Sequence, residues 1–272
     1  MNRKEAEARR KYKQAARAGV LLLAVVMVIT VACSVSMRKN LPGIAVDPEG
    51  VIERLKSLGE SLQSDKQIFR VRLLDKGRTF SGDGALLYRA PDTLMLSIYG
   101  PPFTTLWIQM LTRGDSLTLV LPKENRVVRT LRSDPVPVAQ LAGSEGLTDA
   151  VFLGGVTGIF DIDRFRSPGM STMAAKEGDI ERLRLVNDTE AYEFVYDRSL
   201  DAVVRFIHYR KGKKHREIAR SEFVEIQGIK RASRTLYRDY SADREITVLV
   251  SKEEINPELD ANAFKLLILG GS

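Results

Sequence analysis

The sequence predicts an α+β fold, mainly β, in which one strongly curved antiparallel sheet of about 11–12 strands is capped by short helices. Segments rich in Leu, Ile, Val, Thr and aromatic residues recur along the chain with the alternation of β-strands. The turns between them are short, such as Asp75-Lys76-Gly77 and Lys211-Gly212, so consecutive strands are expected to form antiparallel hairpins. Strands do not alternate with helices, which argues against doubly wound and barrel α/β architectures.

One amphipathic helix is predicted before the sheet. Asp47 is a good N-cap and Pro48 suits the first helical position. The apolar residues that follow recur at helical spacing and predict a single buried stripe: Val51, Leu55, Leu58 and Leu62.

The strands fall into two groups separated by a segment of different character. The first group begins at Ile68 and continues through Thr79–Arg89, Thr93–Tyr99, Thr104–Thr112, Ser116–Leu121 and Arg126–Leu131. Prolines 135 and 137 then break the sheet, and short helices are predicted between residues 141 and 153, whereas residues 156–173 carry no clear pattern. The second group comprises Glu181–Val186, Ala191–Tyr196, Ala202–Tyr209, Lys214–Ile226, Arg234–Tyr240 and Glu245–Val250.

The first 32 residues have the pattern of a secretory signal. Residues 1–17 contain seven Lys or Arg, and the 15 residues from Ala18 to Ala32 carry no charge. This apolar run is shorter than the roughly 20 residues of a membrane-spanning helix. Extended to Met37 it reaches 20 residues, so an uncleaved transmembrane anchor is the alternative. In both cases the basic end stays inside and the rest of the chain is exported.

The only cysteine, Cys33, follows this run directly, in the order Thr30-Val31-Ala32-Cys33. That order resembles the bacterial lipobox, in which a small residue precedes a cysteine that is alkylated with diacylglycerol, although Thr30 departs from the usual Leu. The expected organisation is therefore a signal peptide of lipoprotein type over 1–32, a tether over 33–46 and a single domain over 47–272. We expect membrane lipid to be attached through Cys33.

Composition argues against several classes of function. Residues 1–32 carry +5 of the +7 net charge, which leaves about +2 for the exported part and no signal for nucleic-acid binding. The two histidines, His208 and His215, and the single cysteine are too few for a typical zinc site. No nucleophile or nucleotide-binding motif is present in a suitable context. We therefore expect no enzyme activity, no metal and no cofactor.

Four motifs in order resemble the lipoprotein-localisation carriers of the LolA/LolB-like superfamily. The segment from Phe80 to Leu94 is similar to their early strands, and Ser97 to Leu106 resembles the next hairpin of the LolB branch. Leu147 to Gly158 resembles that branch's central helix, and Ile246 to Leu266 its tail. Residues 164–173 have no counterpart there, so the chain would be a divergent member.

This resemblance implies a half-open barrel that encloses an apolar cavity for acyl chains. It implies a monomer, lipid-anchored on the periplasmic face of the outer membrane (the inner membrane being the alternative), that accepts acyl chains or lipoproteins from a periplasmic carrier protein. Ser34, directly after the lipidated cysteine, is similar to the outer-membrane sorting signal of enterobacterial lipoproteins.

Two sets of candidate binding residues follow. The loop Pro101-Pro102-Phe103 matches the position at which the LolB branch projects an apolar residue for membrane insertion, with a Phe folded over the core as the alternative. Ten apolar strand residues are candidates for the cavity lining, although a one-residue register slip would exchange the two faces of a strand. They are Leu94, Leu96, Ile98, Leu106, Ile108, Leu117, Leu119, Val204, Phe206 and Leu249. The alternative function is a structural or interaction lipoprotein of the envelope, with a filled core, that binds a protein partner.

Overall fold

A computed structural model describes residues 40–100, 105–131 and 154–266. In these ranges 14 antiparallel strands form one curved sheet that does not close, with β1 and β7 at its two edges. The strands are β1 Ile44–Val46, β2 Ser64–Asp75, β3 Arg78–Arg89, β4 Thr93–Gly100, β5 Thr105–Arg113, β6 Ser116–Leu121, β7 Arg126–Leu131, β8 Ser171–Glu177, β9 Ile180–Val186, β10 Glu190–Asp197, β11 Ala202–Arg210, β12 Lys213–Ile226, β13 Ile229–Asp239 and β14 Arg244–Ile255. The predicted fold class is confirmed.

The sheet consists of two meanders that meet at one seam. Strands β2 to β7 form the first meander and β8 to β14 the second, each with its strands paired in chain order. The seam joins β14 to β2, from Arg244 opposite Asp75 to Ile255 opposite Asp65. Asn256, just beyond β14, reinforces it, because its Oδ1 accepts hydrogen bonds from the backbone N–H groups of Gln63 and Ser64.

Helix α1, Pro48–Glu60, begins as the sequence predicts. The carboxylate of Asp47 caps it by accepting hydrogen bonds from the backbone N–H groups of Glu49 and Gly50. Its buried face, Val51, Ile52 and Leu55, packs against the second meander. The 3₁₀ turns Pro122–Glu124, Ile162–Phe165 and Ala261–Phe264 complete the named elements.

Two strands are present that the sequence pattern did not predict. β1 lies within the segment expected to be a tether and pairs with β8, Ala45 opposite Ala175. β8 lies in the stretch without a clear pattern; its buried residues are the small side chains Ala174 and Ala175. These two strands raise the number from about 12 to 14. The short helices predicted between residues 141 and 153 lie outside the described residues, but residues 154–157 are helical.

Apolar side chains fill the described part of the interior in two clusters. One lies under helix α1 and contains an aromatic group in which the Phe160 ring stacks on Phe206 at 5.4 Å and meets Phe194 edge-on at 5.6 Å. The other is formed mainly by the first meander, with Phe69, Leu86, Leu94 and Leu117 among its fully buried members.

The turns alternate between two ends of the sheet. One end, here the hairpin end, carries the β2–β3 and β11–β12 turns and the strand termini Gly100 and Thr105. The opposite end, here the seam end, carries the β10–β11 and β12–β13 turns and the start of β2. The end of helix α1 leads directly into β2 at the seam end.

Candidate functional site

A cavity of about 250 Å³ lies at the seam end. Its walls come from the end of α1 and the residues after it, the segment around residues 157–159, strand β12, the β10–β11 turn, and the β12–β13 turn with the start of β13. The lining residues are Leu58, Ser61, Leu62, Thr157, Gly158, Ile159, Ser199, Leu200, Asp201, Ala202, Arg220, Gly228, Ile229, Lys230 and Arg231. Apolar and basic side chains therefore share one pocket.

Gly158 brings the backbone of one wall close to a buried cation. Its φ of +80° lies in the left-handed region, which favours glycine. A Cβ at this position would lie 2.5 Å from the guanidinium carbon of Arg220, so the wall and the guanidinium are in direct contact. The Gly158 N–H donates to the Gly154 carbonyl at 2.8 Å, which ends the helical segment.

Arg220 is a buried cation without a paired carboxylate among the described residues. Its Nη1 donates to the Val203 carbonyl oxygen at 3.1 Å, and its Nε is buried without a hydrogen-bond partner. Among the described residues no carboxylate forms an ion pair with it. Burial, and then repulsion from Arg231, lower the pKa of the Arg220 guanidinium to about 9.

Arg231 differs, because two carboxylates hold it. Its Nη2 donates to Asp65 Oδ2 at 2.9 Å, its Nε donates to Glu253 Oε1 at 2.7 Å, and Nη1 donates to the Thr157 carbonyl oxygen. Gln67 Nε2 bridges the two carboxylates. This network ties β2, β13 and β14 to the cavity wall across the seam.

The carboxyl group of Asp65 is harder to ionise in this network than in water. Burial raises the pKa of its carboxyl to about 7, and this effect outweighs the attraction of Arg231, while nearby Glu253 raises it further. The Asp65 Oδ1 atom is buried without a hydrogen-bond partner. A buried carboxylate oxygen without a partner is costly to the folded state.

Seven of the ten predicted lining residues belong to the two core clusters. Leu94, Leu96, Leu117 and Leu119 are at most 1% exposed, and Phe206 is fully buried in the aromatic group. Ile98 and Ile108, which face each other across β4 and β5, are partly buried against the first-meander cluster. These residues pack against other side chains and do not line the cavity described above.

The other three lie outside both clusters. A register shift leaves Leu106 opposite Tyr99. Val204 is the unpaired residue between Val203 and Arg205. Leu249 is 41% exposed, on the opposite face from buried Val248. Whether any of the ten contacts a ligand stays a prediction.

Cys33 and the loop Pro101-Pro102-Phe103 lie outside the described residues, although the strand termini that flank the loop are at the hairpin end. In the part of the chain that the structure describes, no helix has the length and apolar character needed to cross a bilayer. Within the same residues, no group of three or more His, Cys, Asp or Glu side chains is arranged to hold a metal ion.

The sequence analysis did not single out the charged residues of the site. A signal for them exists, because Asp65 and Gln67 are in phase with buried Phe69 along β2. Arg220 is likewise in phase with buried Ile218, and Arg231 with buried Thr235. Charged side chains at inward positions on three strands indicate a buried polar cluster.

The fold is LolA-like. It is similar to a DUF1329 family protein from Desulfovibrio piger (TM-score 0.62, 11% identity, 81% of this chain and 98% of that one). It is also similar to an outer membrane lipoprotein-sorting protein domain from Vibrio parahaemolyticus (TM-score 0.55, 13% identity, 79% and 94%). A LolA superfamily protein from Nitrosomonas europaea gives a TM-score of 0.54 at 13% identity, over 82% and 99%. No sequence-family model matches the chain, and no curated protein sequence matches it either.

Proposed function

With the LolA-like fold as the premise, we propose that this chain is a lipid-anchored protein of the bacterial envelope that binds an acyl chain and takes part in lipoprotein or lipid transfer to the outer membrane. Two of the similar structures are named for lipoprotein sorting or for the LolA superfamily. The observation that carries the proposal is the seam-end cavity, whose walls include Leu58, Leu62, Leu200 and Ile229. No chemical step on the ligand is part of this function.

The cavity sets the scale of the ligand. Its volume of about 250 Å³ lies just below the range of roughly 300–1,000 Å³ that is typical of small-molecule pockets. One acyl chain, or part of one, is the appropriate size. Each CH₂ group that moves from water into an apolar site gains about 0.8 kcal/mol, so shielding even part of a chain lowers the barrier to transfer through water.

The hairpin end is the proposed contact with the membrane. Strands β4 and β5 meet the predicted insertion loop there, and exposed Lys211 and Lys213 lie at the same end. Near an anionic leaflet each such cation contributes about 1 kcal/mol. We expect Phe103→Glu to abolish transfer to vesicles without loss of fold. Val224→Glu, which places the same charge at an exposed apolar residue near the opposite end, is the matched control. Normal transfer by Phe103→Glu would remove the loop from the mechanism.

Ligand identification tests the acyl-binding proposal directly. The exported part from Ser34 onward is purified and extracted with organic solvent, and acyl species are identified by mass spectrometry, followed by titration with a fluorescent fatty-acid probe. Leu200→Glu, at the cavity rim, should abolish binding of the probe, whereas Leu131→Glu, on the 56% exposed side chain at edge strand β7, should not. A folded sample without lipid or saturable binding would refute the proposal.

A specific observation favours the alternative, an envelope lipoprotein with a filled core that binds a protein partner. The aromatic group around Phe206 occupies the space under α1, with the Phe165 and Phe206 rings 5.3 Å apart. Seven of the expected lining residues are likewise packed into the core. If the fatty-acid probe does not bind, crosslinking of the anchored chain in the envelope becomes the test for such a partner.

A further inference from the structure

We infer that the seam-end cavity binds an acidic amphiphile, with a carboxylate or phosphate head on the Arg220 guanidinium and its aliphatic chain along the apolar wall. The inference rests on the proposed function, because it assigns the chemistry of the ligand in the same cavity. It concerns the head group, on which the acyl-binding proposal makes no statement.

Arg220 stands apart from the other buried arginines of the described residues. Arg216, Arg231 and Arg244 each form an ion pair with a carboxylate, those of Asp239, Asp65 and Asp75 respectively. Arg220, equally buried, has none. A buried cation without a counter-ion is costly, and a fold retains it at lower cost when a ligand supplies the missing charge.

The position of Arg220 allows a ligand to supply that charge. The side chain lines the cavity, and its buried Nε has no hydrogen-bond partner, so the guanidinium has unused hydrogen-bonding capacity. The flat guanidinium forms two parallel hydrogen bonds with a carboxylate or phosphate, which makes arginine well suited to such heads. Gly158 lets the cavity wall pack directly against the guanidinium and so fixes its position, since a Cβ there would collide with it.

The remaining lining fits the two parts of an amphiphile. Exposed Lys230 adds a second cation at the rim, and Leu58, Leu62 and Ile229 provide the apolar surface. Asp201 also lines the cavity, but its carboxylate is engaged by the Tyr196 hydroxyl, which donates a hydrogen bond to it. Arg231 is held by its own two carboxylates, whereas Arg220 has no carboxylate in direct contact among the described residues.

The test compares three ten-carbon ligands that differ in the head group. The full chain is purified in a non-ionic detergent, and native mass spectrometry measures the one-to-one complex with decanoate, decyl phosphate or decanol. We expect at least one of the two anions to bind about tenfold or more tightly than decanol, since a charge-assisted bidentate contact is worth at least that factor. The tighter of the two anions identifies the carboxylate or the phosphate as the natural head.

Variants locate the effect. Arg220→Met should lose the preference for the anion while it retains decanol binding, and Lys230→Gln should weaken the anion by severalfold. Lys265→Gln, at an exposed lysine that does not line the cavity, is the matched control and should change nothing. The wild-type comparison and the surface variant Lys230→Gln decide the matter even if Arg220→Met does not fold. Equal binding of decanoate, decyl phosphate and decanol would overturn the inference and leave the acyl-binding function intact, whereas no binding of any would overturn both.

Discussion

Gly158→Ala tests the contact between the cavity wall and Arg220. The substitution has two separable costs. An alanine at φ +80° adopts a left-handed backbone, at about 1–2 kcal/mol. The new Cβ must also push aside the Arg220 guanidinium, whose carbon would be 2.5 Å away. If Arg220 gives up its hydrogen bond to the Val203 carbonyl, a further 1.5–3 kcal/mol, roughly, is lost.

Gly169→Ala isolates the first cost. Gly169 has nearly the same φ, +83°, and no heavy atom lies within 4 Å of a Cβ built there. Urea denaturation of the exported part, followed by tryptophan fluorescence and circular dichroism, gives the free energy of unfolding of each variant. We expect Gly158→Ala to be less stable than Gly169→Ala by about 1.5–3 kcal/mol, and to bind decanoate more weakly. Equal stability of the two variants would show that Arg220 does not rest against this wall.

Two further predictions concern buried charge. Arg231→Met should lower the free energy of unfolding by about 3–5 kcal/mol, because Asp65 and Glu253 lose their shared cation. The control is Arg238→Met, which removes the exposed ion pair with Glu245 and should cost about 1 kcal/mol or less. Urea denaturation measures both, and a cost for Arg231→Met no larger than that of the control contradicts the network. Burial lowers the pKa of His208 to about 4, so the folded chain resists protonation that the unfolded chain accepts below about 6.5. Stability should therefore fall as the pH drops from about 6.5 to about 4, less steeply in His208→Gln; unchanged slopes in the two proteins would refute this assignment.

The hairpin strands were predictable because their apolar residues alternate and short turns bound them. β8 was not, since the buried side chains of its sequence Ser171–Glu177 are two neighbouring alanines, which give no alternation. β1 has only three residues, and its pairing with β8 depends on tertiary context. β13 begins at Ile229 and not at the predicted Arg234. The pattern missed its first residues because several of them are charged or polar.

The site was less predictable than the fold for a related reason. Charged residues are ordinarily solvent-exposed, so Arg220 and Arg231 count as surface positions in a pattern of hydrophobicity. Only the pairing of β14 with β2 brings Glu253 and Asp65 to the same arginine. A strand irregularity also limits the prediction of the lining residues. Val204 is unpaired, so the alternation of inward and outward side chains along β11 is interrupted there.

The seam between β14 and β2 constrains the order in which the strands of the sheet can pair during folding. Asp75 and Arg244 are 169 positions apart along the chain, and Gln63 and Asn256 are 193 apart. In a polypeptide that emerges from synthesis or export with its N-terminus first, β2 can pair with β3 at once, but its other edge stays open until β14 has followed. Such long-range pairing is slow, and an open strand edge invites association with other chains. A chain that stops before β14 would lack the strand that joins the two meanders. It would also lack Glu253, one of the two carboxylates that hold Arg231. Both the sheet and the buried charge network therefore depend on β14.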